Sequence, residues 1–258
     1  MASLLTERDG PVFHVRLNRP DLRNAFDEEV IASLTAAARE AGSNREIRAM
    51  VLSGTGKAFC AGADLAWMTK AIAYTREENR RDAEDLARML ETLDTLPVPL
   101  IGRVHGAALG GGAGLVAVCD IAIAAKDATF GFTEAKLGII PAVISPYVVQ
   151  KIGPSAAREL FLTASRFNAK RALRMGLIHR IVPESDLDSA VDEYVQEILS
   201  SAPGAIAAAK ALIKDVANRP SADVIGLTTT RIAEQRVSAE GQEGMRAFLE
   251  KRKPNWIP

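Results

Sequence analysis

The stretch Gly106-Ala-Ala-Leu-Gly-Gly-Gly-Ala-Gly-Leu115 is the most informative part of this chain for its fold and for the position of a binding site. It follows the apolar, strand-like residues 100–104 and leads into residues 111–118, whose small apolar side chains predict a short buried helix. Glycine at such a junction lets a ligand approach bare backbone N–H groups at the start of the helix. We therefore expect an anion or a developing oxyanion to bind here.

Two other interpretations of these glycines stay open. They could serve only to pack a strand closely against a helix. The segment Gly112-Ala-Gly-Leu-Val-Ala117 also fits a loose form of the dinucleotide-binding fingerprint. However, no acidic residue ends a following strand at the expected distance, and no Gly-Lys-Ser/Thr sequence indicates a phosphate-binding P-loop.

A second stretch, Phe59-Cys-Ala-Gly-Ala-Asp64, follows another strand-like segment and can expose one more N–H group. Two such donors at the carboxyl ends of neighbouring strands make an oxyanion hole. Asp64 by itself is typical of a helix N-cap before residues 65–70. We interpret Cys60 as a small buried side chain, because no base accompanies it, and His105 as a packed structural histidine.

Composition and charge exclude several classes of protein. The 258 residues suffice for one large domain or a domain with an appendage, and the 32 basic side chains balance the 32 acidic ones. Neither nucleic acid nor an anionic membrane is therefore an expected partner. The two cysteines form no disulfide or metal-binding pattern, and no apolar run is long enough to cross a membrane. We predict a cytoplasmic protein with no metal site.

Strand and helix patterns alternate along the first part of the chain, which favours an α/β fold. The predicted elements are strands over 12–17, 48–52, 100–104 and 121–125, and helices over 28–41, 77–96 and 111–118. Asp27 is the expected N-cap of the first helix and Gly42 its expected end.

After about residue 155 the strand patterns fade, and helical patterns cover 184–200, 204–216 and 220–238. We therefore divide the chain into a core over 1–195 and a helical region over 196–258. Short helices without a core of their own pack on a partner or on the main body. On that ground we predict an oligomer.

Several motifs follow one another along nearly the whole chain: Lys57-Ala-Phe-Cys-Ala-Gly-Ala-Asp64, Val104-His-Gly-Ala-Ala-Leu-Gly-Gly-Gly112, Cys119-Asp120, Glu134-Ala-Lys-Leu-Gly-Ile-Ile-Pro141 and Glu243-Gly-Met-Arg-Ala-Phe-Leu-Glu-Lys-Arg252. Together they resemble the enoyl-CoA hydratase/isomerase (crotonase) family. The resemblance implies an α/β spiral of ββα units with a helical C-terminal trimerisation region, assembled as a homotrimer or as a hexamer of two trimers. It also implies an acyl-CoA thioester substrate and no separate cofactor, since coenzyme A is part of the substrate.

The resemblance also assigns roles by position. The N–H groups of Ala63 and Gly111 would hold the thioester carbonyl oxygen, and such donors stabilise an enolate by about 3 kcal/mol each. Glu134 would exchange a proton with a substrate carbon. The implied contacts with coenzyme A are Ala61, Asp64 and Leu65 along its path, and Phe248 and Lys251 at its adenine and phosphate end. Lys251 is equally typical of a solvated helix end.

Gly114 departs from the family's pattern. Hydratases of this family commonly carry a second glutamate there, twenty residues before Glu134, and the two acids share one water. With glycine in that position, the two-acid mechanism does not apply. A single acid at the later position is also the arrangement of several enoyl-CoA isomerases.

The segment Pro141-Ala-Val-Ile-Ser-Pro-Tyr147 replaces a glycine-rich sequence of most relatives, and Ser145-Pro146 predicts an N-cap and a first-turn proline. This segment resembles a bacterial subgroup of methylglutaconyl-CoA hydratases of leucine breakdown. Our first hypothesis is a hydratase of short or branched 2-enoyl-CoA, with methylglutaconyl-CoA as the leading substrate. The alternatives are a 3,2-enoyl-CoA isomerase in which Glu134 acts alone, and a non-catalytic member that binds acyl-CoA.

Overall fold

The computed structural model describes residues 2–257. In chain order its strands are β1 (Leu4–Asp9), β2 (Val12–Leu17), β3 (Ala49–Gly54), β4 (Leu100–Val104), β5 (Ala107–Leu109), β6 (Ile121–Ala125), β7 (Thr129–Gly131), β8 (Arg166–Asn168) and β9 (Arg180–Val182). Its helices are α1 (Glu28–Ser43), α2 (Leu65–Ala73), α3 (Arg76–Asp94), α4 (Gly111–Val118), α5 (Ser145–Thr163), α6 (Ala169–Arg174), α7 (Leu187–Ser200), α8 (Pro203–Val216), α9 (Ser221–Val237) and α10 (Ala239–Leu249).

Two sheets organise these strands. The larger sheet has the order β1-β2-β3-β4-β6-β9, in which β1 and β2 form an antiparallel hairpin and all other neighbours run parallel. The smaller sheet has the order β5-β7-β8, with β5 and β7 parallel and β7 and β8 antiparallel. Parallel neighbours require crossover connections, and the helices of the core lie in those connections.

Successive chain segments give one strand to each sheet and then a helix. β4 is followed by β5 and α4, and β6 is followed by β7 and α5. Before them, β3 leads to Cys60, which forms a parallel bridge with Ala108 of β5, and then to α2. This repeated strand–strand–helix order confirms the predicted spiral of ββα units.

The core lies between the larger sheet and the helices of the crossovers. β3 is buried along Ala49-Met-Val-Leu-Ser53, as expected for a central parallel strand that is covered on both faces. Helix α4 is buried at every position from Gly112 to Val118, which explains why its sequence lacks a polar face. The glycine-rich segment is therefore the innermost helix of the fold.

The C-terminal helices are mostly at the surface of the single chain. α8 has no buried residue, and α9 and α10 each have one. By contrast, α7 packs on the core through buried residues that include Val195 and Ile198. The division predicted after residue 195 falls inside α7, and the surface helices begin with α8.

Some local predictions were wrong. α1 continues to Ser43, so Gly42 lies inside the helix instead of ending it. Strands β8 and β9 lie beyond residue 155, where the strand patterns fade, because three-residue strands are too short to show a periodicity. Among the described residues 2–257, no helix is both long and apolar enough to cross a membrane.

The predicted N-cap at Ser145 was also wrong. The turn before α5 already has helical geometry, so Ile144 takes the cap position with φ −83° and ψ −17°. The Ser145 hydroxyl donates a hydrogen bond to the Ala142 carbonyl at 2.7 Å instead of capping the helix. Pro146 does lie in the first turn, where its missing N–H costs no hydrogen bond.

Candidate active site

Strand pairing brings the two predicted donor loops together. The Cys60 N–H donates to the Ala107 carbonyl and the Leu109 N–H donates to the Cys60 carbonyl, both at 3.0 Å. Because the two segments run parallel, Ala63 and Gly111 leave the sheet side by side, each three residues beyond this pairing. The loops remain in contact after the strands end.

The backbone N–H groups of Ala63 and Gly111 are both left without an acceptor within residues 2–257. Gly111 is the first residue of α4, where no earlier turn can accept its proton. The preceding Gly110 adopts φ 52° and ψ −122°, a conformation open to glycine. Two unbound donors, one of them at a helix N-terminus, form a site for a developing negative charge.

The carboxyl group of Glu134 lies beside these donors. Glu134 begins a short 3-10 helix (Glu134–Leu137) after β7. A Cβ atom built on Gly110 would lie 3.4 Å from its Oε1, so the carboxyl group covers that glycine. Its Oε2 is buried and has no hydrogen-bond partner within residues 2–257. Burial raises the pKa of Glu134 above its ordinary 4.5.

This arrangement can polarise a carbonyl group and move a proton on a neighbouring carbon. The two N–H groups would take up charge on the oxygen, while a carboxyl group with a raised pKa can accept a proton and return it.

A sequence profile described as enoyl-CoA hydratase/isomerase matches residues 7–257. The chain belongs to the enoyl-CoA hydratase/isomerase family. It is therefore an enzyme of that family, as predicted from its motifs.

Solved structures and sequence relatives agree with this assignment. The fold matches a crystal structure of an enoyl-CoA hydratase from Shewanella pealeana with a TM-score of 0.95 and 43% identity, covering 98% of this chain and 96% of that one. It matches Pseudomonas aeruginosa AtuE with a TM-score of 0.95 and 40% identity, covering 99% and 100%. A crotonyl-CoA hydratase of Syntrophomonas wolfei is 31% identical over 99% of this chain and 98% of that protein.

A cavity of about 670 Å³ opens beside Ala63. Its lining includes Ala61, Ala63, Asp64 and Leu65, so three of the predicted coenzyme A contacts and one donor share a single cavity. Its volume is within the usual range for a small-molecule site. Leu65 is 81% exposed and lies at the mouth of the cavity.

Phe248 and Lys251 do not line this cavity. Phe248 lies on α10 and is 84% exposed, and Lys251 lies two residues after the end of that helix with φ 56°. Their predicted contact with the adenine and phosphate end of coenzyme A stays a prediction.

Asp64 is the N-cap of α2, as its position in the sequence predicted. Its Oδ1 accepts hydrogen bonds from the N–H groups of Ala66 at 2.7 Å and Trp67 at 3.4 Å. Its Oδ2 accepts a hydrogen bond from Arg19 at 2.8 Å. Burial alone would raise the pKa of Asp64, but these N–H groups and the guanidinium together lower it. Asp64 therefore holds the donor loop and is no proton carrier.

Ile144 fills the space in which a second acid would stand. A Cβ atom built on Gly114 would lie 2.3 Å from Ile144 Cγ2 and 2.9 Å from Ile144 Cβ. Gly114 lies one helical turn beyond Gly110, against which Glu134 rests, and Ile144 is only 3% exposed. The side chain that packs on Gly114, one turn beyond the glycine that the Glu134 carboxyl group covers, is therefore a hydrocarbon.

The packing interpretation of the glycines is partly correct as well. A Cβ atom on Gly112 would lie 2.2 Å from the Cys60 carbonyl oxygen, so this residue is glycine because the donor loop lies against it. Cys60 is fully buried, and burial raises its pKa to about 12, which confirms it as a structural side chain. His105 is also buried and donates from Nε2 to the Gly56 carbonyl at 2.9 Å.

Sequence reasoning missed Arg19, Phe26 and Ile144, which all contact the site. For Ile144 a signal existed: a glycine that replaces a large side chain in a close-packed interior requires another group to fill the volume. The contacts of Arg19 and Phe26 join residues far apart in the sequence, and no local pattern indicates them.

Proposed function

We propose that this enzyme is an enoyl-CoA hydratase, which adds water to a short or branched 2-enoyl-CoA through a thioester enolate. The observation that carries the proposal is the carboxyl group of Glu134, with its buried, unpartnered Oε2, beside the free N–H groups of Ala63 and Gly111. The crotonyl-CoA hydratase of Syntrophomonas wolfei and the short-chain-enoyl-CoA hydratase of Clostridium acetobutylicum, each 31% identical, support it.

A single acid suffices for the atoms of this reaction. The Glu134 carboxylate takes one proton from a water as the water oxygen bonds to C3 of the enoyl group. The electron pair of the double bond moves onto the thioester oxygen, where the N–H groups of Ala63 and Gly111 hold the enolate. Glu134 then returns the same proton to C2, which completes the addition of one water.

The raised pKa of Glu134 suits both steps. A carboxylate in a poorly hydrated environment takes a proton more readily than one in water, and its acid form persists long enough to protonate carbon. Removing a positioned acid/base typically lowers turnover by about 10²–10⁴-fold. Glu134→Gln should therefore lose at least about a hundredfold in kcat while still binding acyl-CoA.

The matched control is Glu159→Gln, which removes an exposed carboxylate of α5 that pairs with Arg171. This variant should keep wild-type kcat and KM. Wild-type turnover in the Glu134→Gln variant would refute the proposal. Acyl-CoA binding by the wild-type chain without turnover of any enoyl-CoA would favour the non-catalytic alternative.

Methylglutaconyl-CoA is the leading substrate of this proposal, and its support is the resemblance of Pro141-Ala-Val-Ile-Ser-Pro-Tyr147 to one hydratase subgroup. The test is a turnover screen over straight, branched and carboxylated 2-enoyl-CoA thioesters. A branched, carboxylated substrate should give the highest kcat/KM. A preference of about tenfold or more for straight crotonyl-CoA would overturn this substrate.

A 3,2-enoyl-CoA isomerase is the second candidate, and the contact between Gly114 and Ile144 favours it. Isomerisation needs one base that moves a proton between two carbons, and a hydrocarbon in the second position does not impede that step. Mass spectrometry distinguishes the two reactions, because hydration adds one water to the thioester and isomerisation leaves its mass unchanged. Both reactions are redox-neutral overall, so the proposal includes no separate cofactor.

The proposal includes a homotrimer or a dimer of trimers, and a cytoplasmic location. The exposed apolar side chains of the C-terminal helices support the oligomer. Ile213, Ile225 and Val237 are 64%, 60% and 77% exposed in the single chain. Light scattering should return three or six times the mass of one chain. The mass of a single chain at micromolar concentration would refute the assembly.

A further inference from the structure

We propose that Phe26 is the positioning residue that sets the distance between the two oxyanion donors. Its backbone holds the loop of Ala63 and its ring holds the first residue of α4, Gly111. The inference rests on the proposed function, because it takes these two N–H groups as the donors. It adds a residue that touches neither the thioester nor the transferred proton.

The backbone of Phe26 forms hydrogen bonds with the residues on both sides of Ala63. The Phe26 N–H donates to the Gly62 carbonyl at 2.7 Å, and the Asp64 N–H donates to the Phe26 carbonyl at 2.8 Å. Phe26 and Ala63 thereby form an isolated parallel bridge. Because successive N–H groups of an extended segment point to opposite sides, the Ala63 N–H points away from Phe26 and stays free.

The ring of Phe26 lies against the other donor. A Cβ atom built on Gly111 would lie 2.7 Å from Phe26 Cε2 and 2.9 Å from Cδ2, so the ring packs directly on the backbone of Gly111. Phe26 is only 1% exposed, and a ring in a close-packed interior cannot shift freely. The ring therefore limits how closely the start of α4 can approach the donor loop.

Arg19 holds the Phe26 backbone independently of the ring. Its guanidinium donates to the Ala25 carbonyl at 2.8 Å and to Asp64 Oδ2 at 2.8 Å, and it pairs with Asp27 at 2.9 Å. These contacts tie the residues on either side of Phe26 to the donor loop. Removing the ring should consequently change the position of Gly111 while the Ala63 loop stays in place.

The test uses Phe26→Leu, with Phe13→Leu as the matched control. Phe13 is a buried phenylalanine of β2, 2% exposed, which lies outside the site and calibrates the general cost of losing a ring. Phe26→Leu should lower kcat by about tenfold to a hundredfold, the cost of misplacing a catalytic group by about 1 Å. KM should stay within about threefold, because the cavity that binds coenzyme A is unchanged.

A spectroscopic reading separates positioning from general destabilisation. Donors aimed at the carbonyl oxygen of a bound conjugated dienoyl-CoA polarise it and shift its ultraviolet absorption to longer wavelength. The shift should be present in the wild type and in Phe13→Leu, and reduced in Phe26→Leu. An undiminished shift and a control-like kcat in Phe26→Leu would overturn the inference. A wild type without the shift would count against the proposed oxyanion hole itself.

A second variant covers the case in which Phe26→Leu does not fold. Gly111→Ala leaves the ring in place and forces a methyl group against it, so it should lower kcat and weaken the absorption shift by the same route. Where both variants fold, the fold-loss in kcat of the double variant should be smaller than the product of the two single fold-losses, because both substitutions act on one contact. Wild-type kcat in Gly111→Ala, or strictly multiplicative losses, would refute the inference.

Discussion

The contact between Gly114 and Ile144 gives a stability prediction that can be worked from distances. A Cβ atom at position 114 would lie 2.3 Å from Ile144 Cγ2, about 1 Å short of the ordinary 3.4 Å contact. Helix propensity alone should raise the free energy of unfolding of the Gly114→Ala variant by about 1 kcal/mol. Overpacking should lower the same free energy of unfolding by about 1–3 kcal/mol, because Gly114 and Ile144 are both buried. The net change is a loss of about 0–2 kcal/mol.

Ile144→Ala should reduce the loss of stability caused by Gly114→Ala. Ile144→Ala alone should cost about 2–5 kcal/mol, because it empties a buried site. It also removes Cγ2 and Cδ1, which leaves only the Ile144 Cβ at 2.9 Å from the new methyl group. In the Ile144→Ala background, Gly114→Ala should therefore cost less stability than in the wild type, with a coupling of about 0.5–3 kcal/mol between the two sites.

Equilibrium urea unfolding of the four proteins measures this coupling. All four must be compared at one protein concentration, since assembly adds to apparent stability. A single Gly114→Ala variant that is more stable than the wild type by about 1 kcal/mol would refute the reasoning, because it would show only helix propensity and no contact. Additive free energies across the cycle would refute it equally.

Further predictions concern charged groups. The raised pKa of Glu134 means that ionisation of its carboxyl group opposes folding, so Glu134→Gln should raise the unfolding free energy near neutral pH, and the gain should vanish below pH 4.5. The lowered pKa of Asp64 has the opposite sign: Asp64→Asn should lose stability at neutral pH, and the loss should shrink as pH falls below 3.8. Chemical denaturation at several pH values checks both. Lys210 of α8 donates to Asp120 at 2.6 Å, and Lys210→Met should loosen α8, seen as faster amide hydrogen exchange there. Unchanged exchange in α8 would contradict that prediction.

The strands and helices with strong local patterns could be predicted from the sequence. The apolar run before the glycines became β4, and the small apolar run after them became α4, because burial on all sides demands such residues. The helix ends depended on single hydrogen bonds. Ser145 had the residue type of a cap, but its hydroxyl bonds to Ala142 because the helix begins one residue earlier.

The sequence named the backbone groups and the acid that the structure brings together, but not the side chains that support them. Ala63, Gly111 and Glu134 were assigned through the resemblance, since free N–H groups leave no mark in residue type. Phe26 and Ile144 act through contacts between segments that are far apart in sequence. Such contacts depend on how the turns of the spiral stack, and periodicity within one segment carries no information about them.

The parallel bridge between Cys60 and Ala108 has a consequence for how reactions can vary on this scaffold. The loops of Ala63 and Gly111 belong to successive turns of the spiral, so the pairing of neighbouring strands brings the two N–H groups near each other. Glu134 belongs to the next turn, after β7. The two N–H groups are thus supplied by the backbone, whereas the carboxyl group belongs to a single replaceable side chain. Substitutions at Glu134 or Ile144 can change the side chains around the two N–H groups without removing either N–H group.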